Sequence, residues 1–493
     1  MNNDALKIIA VSIAAAVLMG TFGTQGFRAE VPTTWDETEM ERFELPLASP
    51  EFSPKHVSAA YYDALPVRPI YKSYPVYHPE HEPPDYLASL AEMEPEIVFD
   101  VSGLHTEADW VAAGALVFAA PITYAPIGMR LEDVRDPEWY RQVEIPVTSD
   151  GIMPFASYVV REKGNVELGQ LGCSACHSRV LDDGSLVLGG PGNFNFDPSW
   201  ARMFRSNPRL ASFAPALVEN LVAAPWIDAT LLDTPPERVL DQVAAIPTGA
   251  ILRQGTSLSH PTKIPDLIGL RDRLYLDATG FVVQRSVGDV MRYAAVNQTL
   301  DMLATYGSYI PSARDGETLP PAGEGGFVGT DTRYSDAQLY ALGLYLYSLK
   351  PPVNPNPVDA VSARGENVFA REGCALCHTP PLYTNNMLIP APAFTPPPEH
   401  YERYDILDVE LGTDPTNALE TRRGTGYYKV PSLKGVWYRG AFQHNARARS
   451  LEEWFDPARV EPDYEPSPIA GHRFGLALTP EERTALIAFL RTL

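Results

Sequence analysis

Cys173-Ser174-Ala175-Cys176-His177 and Cys374-Ala375-Leu376-Cys377-His378 follow one pattern, C-x-x-C-H, and together contain every cysteine of the chain. This pattern is the attachment signature of a c-type haem. On one helical turn the two sulfurs can bond the two vinyl groups of a haem, and the next residue places an imidazole under the iron. The sequence therefore predicts two covalently attached haems. The predicted attachment residues and proximal iron ligands are Cys173, Cys176 and His177, and Cys374, Cys377 and His378.

Zinc binding and disulfide formation are the alternative uses of paired cysteines. Zinc sites made of two C-x-x-C units usually have them about 15–20 residues apart, and a far wider interval separates these two. Disulfides are common in exported proteins, but here each cysteine pair is short and a histidine follows it directly. Both alternatives are disfavoured, and haem attachment is the prediction.

The composition excludes some partners and favours others. The chain has 493 residues and a formal net charge of −23, from 62 acidic and 39 basic residues. Nucleic acid needs a basic footprint, so it is excluded as a partner. A basic redox partner would be attracted by this charge, although acidity can also simply keep an exported protein soluble. The 47 prolines predict long irregular connections between helices.

The N-terminus has the pattern of an export signal. Lys7 precedes an uncharged stretch that extends from Ile8 to Phe27. Residues 1–29 are therefore predicted to be a signal peptide or, if uncleaved, a membrane anchor. The remainder is predicted to be periplasmic or otherwise exported, and to meet a membrane only through this segment.

Three stretches recur in the same order in the two halves of the chain. Residues 164–173 match residues 365–374, residues 263–270 match 429–436, and residues 334–349 match 478–493. The last pair predicts a closing helix in each half, because each copy opens with a capping box and continues with an apolar stripe. The capping residues are Ser335 with Gln338, and Thr479 with Glu482.

This duplication predicts the domain organisation. The fold class is mainly α, with two cytochrome c-like haem domains, long irregular connections and an extended N-terminal arm. The arm is rich in proline and tyrosine, and a helix is predicted to begin after Thr106. A tight hairpin is predicted at Asp182-Asp183-Gly184. The predicted segments are the arm at 30–100, the first haem domain at 101–350, a proline-rich linker at 351–357 and the second haem domain at 358–493.

The two halves differ at the position of one histidine. His444 follows the matched stretch of the second half, and the equivalent place in the first half falls at residues 277–280, which contain neither histidine nor methionine. An iron with protein ligands on both faces suits electron transfer, whereas an iron with an open face can bind peroxide or oxygen. His444 is thus predicted to cap the second haem and the first is predicted to be open. The alternative is that His444 is a satisfied loop histidine and that His260, Met291 or Met302 caps the first haem.

The second half resembles the bacterial di-haem cytochrome c peroxidase superfamily. The resemblance is carried by residues 426–437, by Arg439-Gly440-Ala441-Phe442-Gln443-His444-Asn445 and by Leu451-Glu452-Glu453. The wide interval between the haem motifs and the sequence of the first motif are most similar to the rubber-oxygenase branch. The resemblance implies that His177 and His378 are proximal ligands, that His444 is the distal ligand of the second haem, and that the oxidant binds at the first.

The resemblance also implies features that have no clear place in this sequence. A carboxylate or amide is expected over the reactive haem. Asp277, Arg285 and Tyr275 are weak candidates, because they lie near the position in the first half that corresponds to His444. A calcium ion is expected between the haem domains, although no dense acidic loop is present. An aromatic bridge is expected between the haems. Its candidates are Trp200, Trp226 and Trp437.

Three functions are compatible with the sequence. The first is a peroxidase-type oxidoreductase, which takes electrons at the second haem from a small redox protein or a quinol-linked donor and reduces peroxide at the first. The second is an oxygenase of the rubber-cleaving type, in which oxygen binds at the first haem and attacks an apolar substrate. The third is a pure electron carrier with both irons capped.

Overall fold

A computed structural model describes residues 27, 29–207, 224–226, 233–252, 261–312, 318–324 and 329–493. The predicted leader, apart from residues 27 and 29, and His260 lie outside these residues. So does part of the stretch between Trp200 and Val243, which has no counterpart in the second half and whose sequence pattern is helical. Among the described residues, no helix is long and apolar enough to cross a membrane.

In the part of the chain that the structure describes, helix outweighs strand. The α-helices are α1 (Glu37–Phe43), α2 (Ala59–Ala64), α3 (Tyr86–Ala91), α4 (Glu107–Ala119), α5 (Pro137–Val143), α6 (Cys173–Cys176), α7 (Phe196–Ser206), α8 (Pro236–Ala244), α9 (Val287–Ala295), α10 (Asp301–Leu303), α11 (Asp336–Ser348), α12 (Ala360–Arg371), α13 (Pro398–Arg403), α14 (Thr416–Leu419), α15 (Leu451–Trp454) and α16 (Pro480–Arg491). A π-helical turn spans Val296–Leu300, and a 3₁₀ turn spans Cys374–Leu376.

The strands form small antiparallel sheets. They are β1 (Ser73–Tyr77), β2 (Ile152–Glu162), β3 (Asn165–Gly169), β4 (Ser178–Val180), β5 (Leu186–Leu188), β6 (Ala250–Ile251), β7 (Thr262–Lys263), β8 (Tyr275–Leu276), β9 (Val282–Val283), β10 (Leu388–Pro390) and β11 (Tyr427–Lys429). Strands β1, β2 and β3 make one three-stranded sheet, and the others pair as β4–β5, β6–β7, β8–β9 and β10–β11.

Each half of the chain contains two helices that cross at a glycine. A Cβ atom added to Gly114 of α4 would lie 2.0 Å from the carbonyl oxygen of Ala341 in α11. A Cβ atom added to Gly365 of α12 would lie 1.9 Å from the carbonyl oxygen of Ala485 in α16. Because only glycine allows the two backbones to approach so closely, the same helix crossing is built twice.

The predicted match of residues 164–172 with 365–373 is wrong. Asn165–Gly169 is a strand, whereas Gly365 lies within a helix. The helix that corresponds to α12 is α4, and the two share the pattern A-x-G-x-x-V-F-A at residues 112–119 and 363–370. An insertion explains the error, because residues 120–172, with the β2–β3 hairpin, separate α4 from Cys173, and only residues 372–373 separate α12 from Cys374.

The features that were predicted from short stretches of sequence are confirmed. Capping boxes start α11 at Ser335 and α16 at Thr479, and another starts α4 at Thr106. The hairpin at residues 182–184 joins β4 to β5. Helices α7 and α8 share one small hydrophobic cluster.

Residues 30–100 are not uniformly extended, contrary to the prediction. They contain α1, α2 and α3, together with β1 at the edge of the three-stranded sheet. Trp35, Phe43 and Tyr62 are buried in one hydrophobic cluster with residues of α4, α9 and α11. The arm therefore supplies part of the first core. A separate cluster, formed by α12, α15 and α16, is the core of the second half.

Candidate functional site

The two cysteine turns begin in different ways and end alike. Helix α6 follows the β-hairpin insertion directly, whereas the second turn follows α12 through Gly373, whose φ is +75°. In both turns the histidine N–H donates to the carbonyl oxygen of the first cysteine, at 2.9 Å. All four cysteines lie in the described part of the chain, and none of them forms a disulfide there.

The histidine of each C-x-x-C-H turn is held by a proline carbonyl. His177 Nδ1 lies 3.0 Å from the carbonyl oxygen of Pro265, and His378 Nδ1 lies 3.1 Å from that of Pro431. A carbonyl oxygen only accepts hydrogen bonds, so the proton is on Nδ1 and the Nε2 lone pair remains for a metal. Burial lowers the pKa of His378, which favours the neutral ring that ligation requires.

The proline-containing loops repeat each other residue for residue. The match of residues 263–270 with 429–436 continues without a gap to residues 280 and 446. The evidence is that residues at corresponding positions of the two loops share unusual positive φ angles. These pairs are Gly269 (+75°) with Gly435 (+76°), Asp277 (+68°) with Gln443 (+73°), and Gly280 (+66°) with Ala446 (+61°).

The same loops join the two halves through reciprocal hydrogen bonds. The backbone N–H of Lys263 donates to the carbonyl oxygen of His444 at 2.8 Å, and that of Lys429 donates to the carbonyl oxygen of Ala278 at 3.1 Å. His444 and Ala278 thus occupy the same position of the repeat. The difference between the halves at this position, inferred from the sequence, is present in the structure.

A cavity of about 480 Å³ surrounds the second cysteine turn. This volume is typical of sites for cofactors and small ligands. Cys374, Cys377 and His378 face it, and so does His444. Most of its wall is apolar, with Phe369 and Leu486 as examples. Thiols at attachment spacing, a neutral imidazole and an apolar wall fit a covalently bound haem.

Replacement of both cysteines of one turn tests this fit. The double variant Cys374→Ser, Cys377→Ser is expected to lose one covalent haem, because serine cannot form the thioether bonds. The mass of the denatured protein should fall by one haem, and its haem absorbance should halve. Cys173→Ser, Cys176→Ser is the matched variant for the first turn. Unchanged mass in either variant would contradict covalent attachment at that turn.

A third histidine, His472, lines the cavity besides His378 and His444. The Nδ1 atom of His472 is buried and has no hydrogen-bond partner among the described residues. Its ring packs against Trp454, with centroids 5.1 Å apart. Loss of hydration, together with the charge of His378 and of Arg459, lowers the pKa of His472 to about 3. A neutral buried imidazole with an unused nitrogen has the chemistry of a metal ligand.

His444 is engaged differently. Its ring stacks on that of Tyr428, with centroids 4.6 Å apart and an interplanar angle of 24°, and its Nε2 lies 3.4 Å from the Tyr428 hydroxyl. The sequence interpretation missed His472 because His472 lies beyond the matched loop. The histidines that follow the second motif in the sequence are His400, His444 and His472, so testing each of them as a ligand would have included His472. His400 is a core residue bonded to the hydroxyl of Tyr427 at 2.9 Å.

The three weak catalytic candidates have structural partners. Asp277 pairs with Arg423 at 2.7 Å and accepts from the Tyr293 hydroxyl at 2.9 Å. Burial alone would raise the pKa of Asp277, but the charge of Arg423, together with hydrogen bonds from Arg423, the Ala278 backbone and Tyr293, holds this pKa well below its usual range. Asp277 and Tyr275 both line the cavity of the second turn.

The other contacts of these candidates are also structural. The Tyr275 hydroxyl accepts from the backbone N–H of Asp405 at 3.0 Å. Arg285 pairs with Asp289 and Glu39, each at 2.9 Å. No described contact links any of the three candidates to Cys173 or His177, and their catalytic role stays a prediction.

Other polar side chains gather beside Cys173. Gln298, on the π-helical turn, donates from Nε2 to the Sγ atom of Cys173 at 3.5 Å. Such turns often mark functional sites. Arg68, from the arm, lies with its guanidinium 4.9 Å from the ring centroid of Tyr334. The Nη1 atom of Arg68 and the hydroxyl of Tyr334 are buried without a hydrogen-bond partner among the described residues. No sequence pattern indicated Arg68, because its partners are distant in the chain.

The remaining candidates are placed in the core or at an interface. Met291 is buried in the first core. Trp200 packs on Phe204, Trp226 on Tyr306 and Trp437 on Tyr438. Among the described residues, no group of three or more His, Cys, Asp or Glu side chains is arranged to hold a metal ion. The calcium ion stays a prediction.

No protein-family model and no curated protein sequence matches this chain. Among solved structures, hydrazine synthase of Kuenenia stuttgartiensis, pressurized with xenon, is 18% identical, with a TM-score of 0.22 over 33% of this chain and 56% of that chain. A MauG-like protein associated with microbial copper homeostasis is 14% identical, with a TM-score of 0.31 over 47% of this chain and 73% of that chain. Likenesses at these TM-scores support neither a family assignment nor an activity for this chain.

Proposed function

We propose that the chain is a di-haem c-type oxidoreductase of the cytochrome c peroxidase kind, with electrons entering at the second haem and peroxide reduced at the first. The observation that carries the proposal is the duplicated site. In each half a C-x-x-C-H turn presents a histidine whose Nδ1–H is held by a proline carbonyl. Each half also contains one glycine-crossed helix pair. Two cytochrome c-like domains, at residues 101–350 and 358–493, are part of this proposal.

The open first site is supported by what the first half lacks. Ala278 stands at the repeat position of His444. His472 precedes the closing helix of the second half, and residues 303–334, which precede the closing helix of the first, contain neither histidine nor methionine. Neither His444 nor His472 therefore has an equivalent in the first half.

When bound, a c-type haem supplies an iron that exchanges single electrons and, with an axial position open, binds peroxide. The chain orients each iron ligand through a proline carbonyl and shields the second site with apolar side chains. Gln298 is a polar group at the first turn that can hold a hydrogen bond or exclude a competing ligand. The overall reaction consumes one peroxide, two electrons and two protons and gives two waters.

The electron donor is proposed to be a small basic redox protein or a quinol-linked carrier outside the cytoplasm. Leu376, between the two cysteines of the second turn, is 74% exposed, so the edge of that site faces solvent. The formal net charge of −23 would attract a basic partner. The exposed edge favours electron delivery at the second turn, and the net charge favours a basic donor.

The test of the function is an optical spectrum of the half-reduced protein before and after one equivalent of hydrogen peroxide. A rapid change at a high-spin haem is expected, because the first iron is open. Oxidation of the reduced second haem should follow. Two low-spin haems that do not respond would overturn the proposal and favour electron carriage. A response to oxygen but not to peroxide would favour the oxygenase.

The sixth ligand of the second haem is expected to be His472 rather than His444. Replacement of His472 by alanine should turn this haem from low-spin to high-spin, because an imidazole that lines the cavity is lost. His472→Met should restore a low-spin haem with a raised reduction potential, since methionine ligation favours the reduced iron. His444→Ala is the matched variant. If His444→Ala alone changes the spin state, the original assignment to His444 is correct.

A further inference from the structure

Four cationic side chains line the cavity at the interface between the two halves. They are Lys263, Arg273, Lys429 and Arg439. Asp266 and Asp277 are the carboxylates that line the cavity with them. Asp277 already pairs with Arg423 at 2.7 Å. Asp266 is therefore the one carboxylate of the cavity lining that remains to balance four cations.

The two arginines share Asp266. Arg439 Nε donates to its carboxylate at 2.8 Å, and Arg273 Nη2 lies 3.8 Å from it. Arg439 also donates to the carbonyl oxygen of Ser432, and Arg273 to that of Ile268. One carboxylate cannot neutralise both guanidinium groups, and these arginines retain a net positive charge.

The two lysines have no carboxylate within 4 Å among the described residues. Lys429 Nζ donates to the carbonyl oxygen of Tyr275 at 3.3 Å, and Lys263 Nζ lies 5.5 Å from the ring centroid of Phe442. Loss of hydration lowers the pKa of each lysine to about 7. Unbalanced charge in such a place is costly unless an anion accompanies it.

The positions of the lysines connect both haem sites. Lys263 stands two residues before Pro265, which holds His177, and its ammonium reaches Phe442 of the other half. Lys429 stands two residues before Pro431, which holds His378, and its ammonium reaches Tyr275 of the other half. Each lysine thus links the histidine-holding loop of one half to a loop of the other.

We propose that Lys263, Arg273, Lys429 and Arg439 form the site that binds the propionate carboxylates of the haems. The proposal rests on the haem binding of the proposed function and adds to it the groups that receive the acidic edge of the cofactor. It explains the excess of cations, because each haem brings two carboxylates. It also makes the interface a shared structure of both haem sites and the direct route for electrons between them.

The test uses the holoprotein and the variants Lys263→Met and Lys429→Met. Lys434→Met is the control, because Lys434 is exposed on the same loop as Lys429. Resonance Raman spectra should show shifted propionate-bending bands in the first two variants and unshifted bands in the control. Loss of a nearby cation should shift the oxidation equilibrium of a haem about tenfold toward the oxidised form, which is 59 mV for one electron.

Unchanged propionate bands in both lysine variants would overturn the proposal. If Lys429→Met does not accumulate, Lys429→Arg must still shift the band, because it alters the hydrogen bond while it keeps the charge. A wild-type potential that depends on inorganic phosphate at constant ionic strength would show that the cations hold a free anion instead. A protein that contains no covalent haem would refute the proposed function itself, and the two failures are thereby distinguished.

Discussion

Substitution of Gly365 by alanine is expected to destabilise the second helix pair by about 2 kcal/mol or more. Alanine favours an isolated helix over glycine by about 1 kcal/mol. Here the added Cβ would lie 1.9 Å from the carbonyl oxygen of Ala485, and neither backbone can yield without separating α12 from α16. Overpacking of this kind typically costs about 1–3 kcal/mol and occasionally more. The clash is therefore expected to outweigh the gain in helix propensity.

Thermal unfolding of the holoprotein measures this effect. Gly114→Ala should be destabilised similarly, because its Cβ would lie 2.0 Å from the carbonyl oxygen of Ala341. Gly103→Ala is the control, since nothing lies within 4 Å of a Cβ added there. Its stability should change by less than about 0.5 kcal/mol. If all three variants unfold at the wild-type temperature, the close crossing of the helices is contradicted.

Replacement of Arg423 by leucine is expected to cost about 3–5 kcal/mol of folding free energy. Arg423 comes from the second half and binds Asp277 and Asn297 of the first half, each at 2.7 Å, together with Asp301. Its removal leaves Asp277 buried without a cation. Arg371→Leu is the control, because Arg371 is 53% exposed and its ion pairs with Glu372 and Glu482 are exposed. Such surface pairs contribute about 0–1 kcal/mol.

The pH dependence of this loss follows from the depressed pKa of Asp277. A carboxyl whose pKa is lower in the folded state stabilises the protein above its unfolded pKa, about 3.9, and this contribution disappears as the pH falls through the folded pKa. The deficit of Arg423→Leu should therefore be full near pH 7 and smaller below about pH 4. The double variant Arg423→Leu, Asp277→Asn should be more stable than the sum of the single effects indicates. Strict additivity would contradict the buried pair.

The sequence predicted the features that short segments encode. The capping boxes at Ser335 and Thr479, the hairpin at residues 182–184 and the repeat of residues 263–270 are present. Each of these features depends on residues close together in the chain, so it can be predicted from the sequence without knowledge of the tertiary structure. The arm was interpreted less well, because Trp35 and Tyr62 become core residues only through contact with helices far along the chain.

The features that the sequence did not reveal depend on insertion and on distance. Residues 120–172 lie between the first helix, α4, and its cysteine turn. The sequence comparison therefore aligned α12 with a short chance match that begins at residue 164. His472 was overlooked because no repeat marks it. The partner of Asp277 is Arg423, which lies in the second half of the chain. No local sequence pattern predicts a pair between residues so far apart. Burial and charge balance identify these residues only when the fold is known.

We propose that two haems of different coordination occupy the two halves. Low-temperature electron paramagnetic resonance of the fully oxidised protein distinguishes the two. One high-spin and one low-spin ferric signal of equal intensity are expected, because the second cavity offers His472 and His444 while the first half has no equivalent of either. In His472→Ala both signals should be high-spin. Two low-spin signals in the wild-type protein would contradict the open first site, and the absence of any haem signal would contradict the whole assignment.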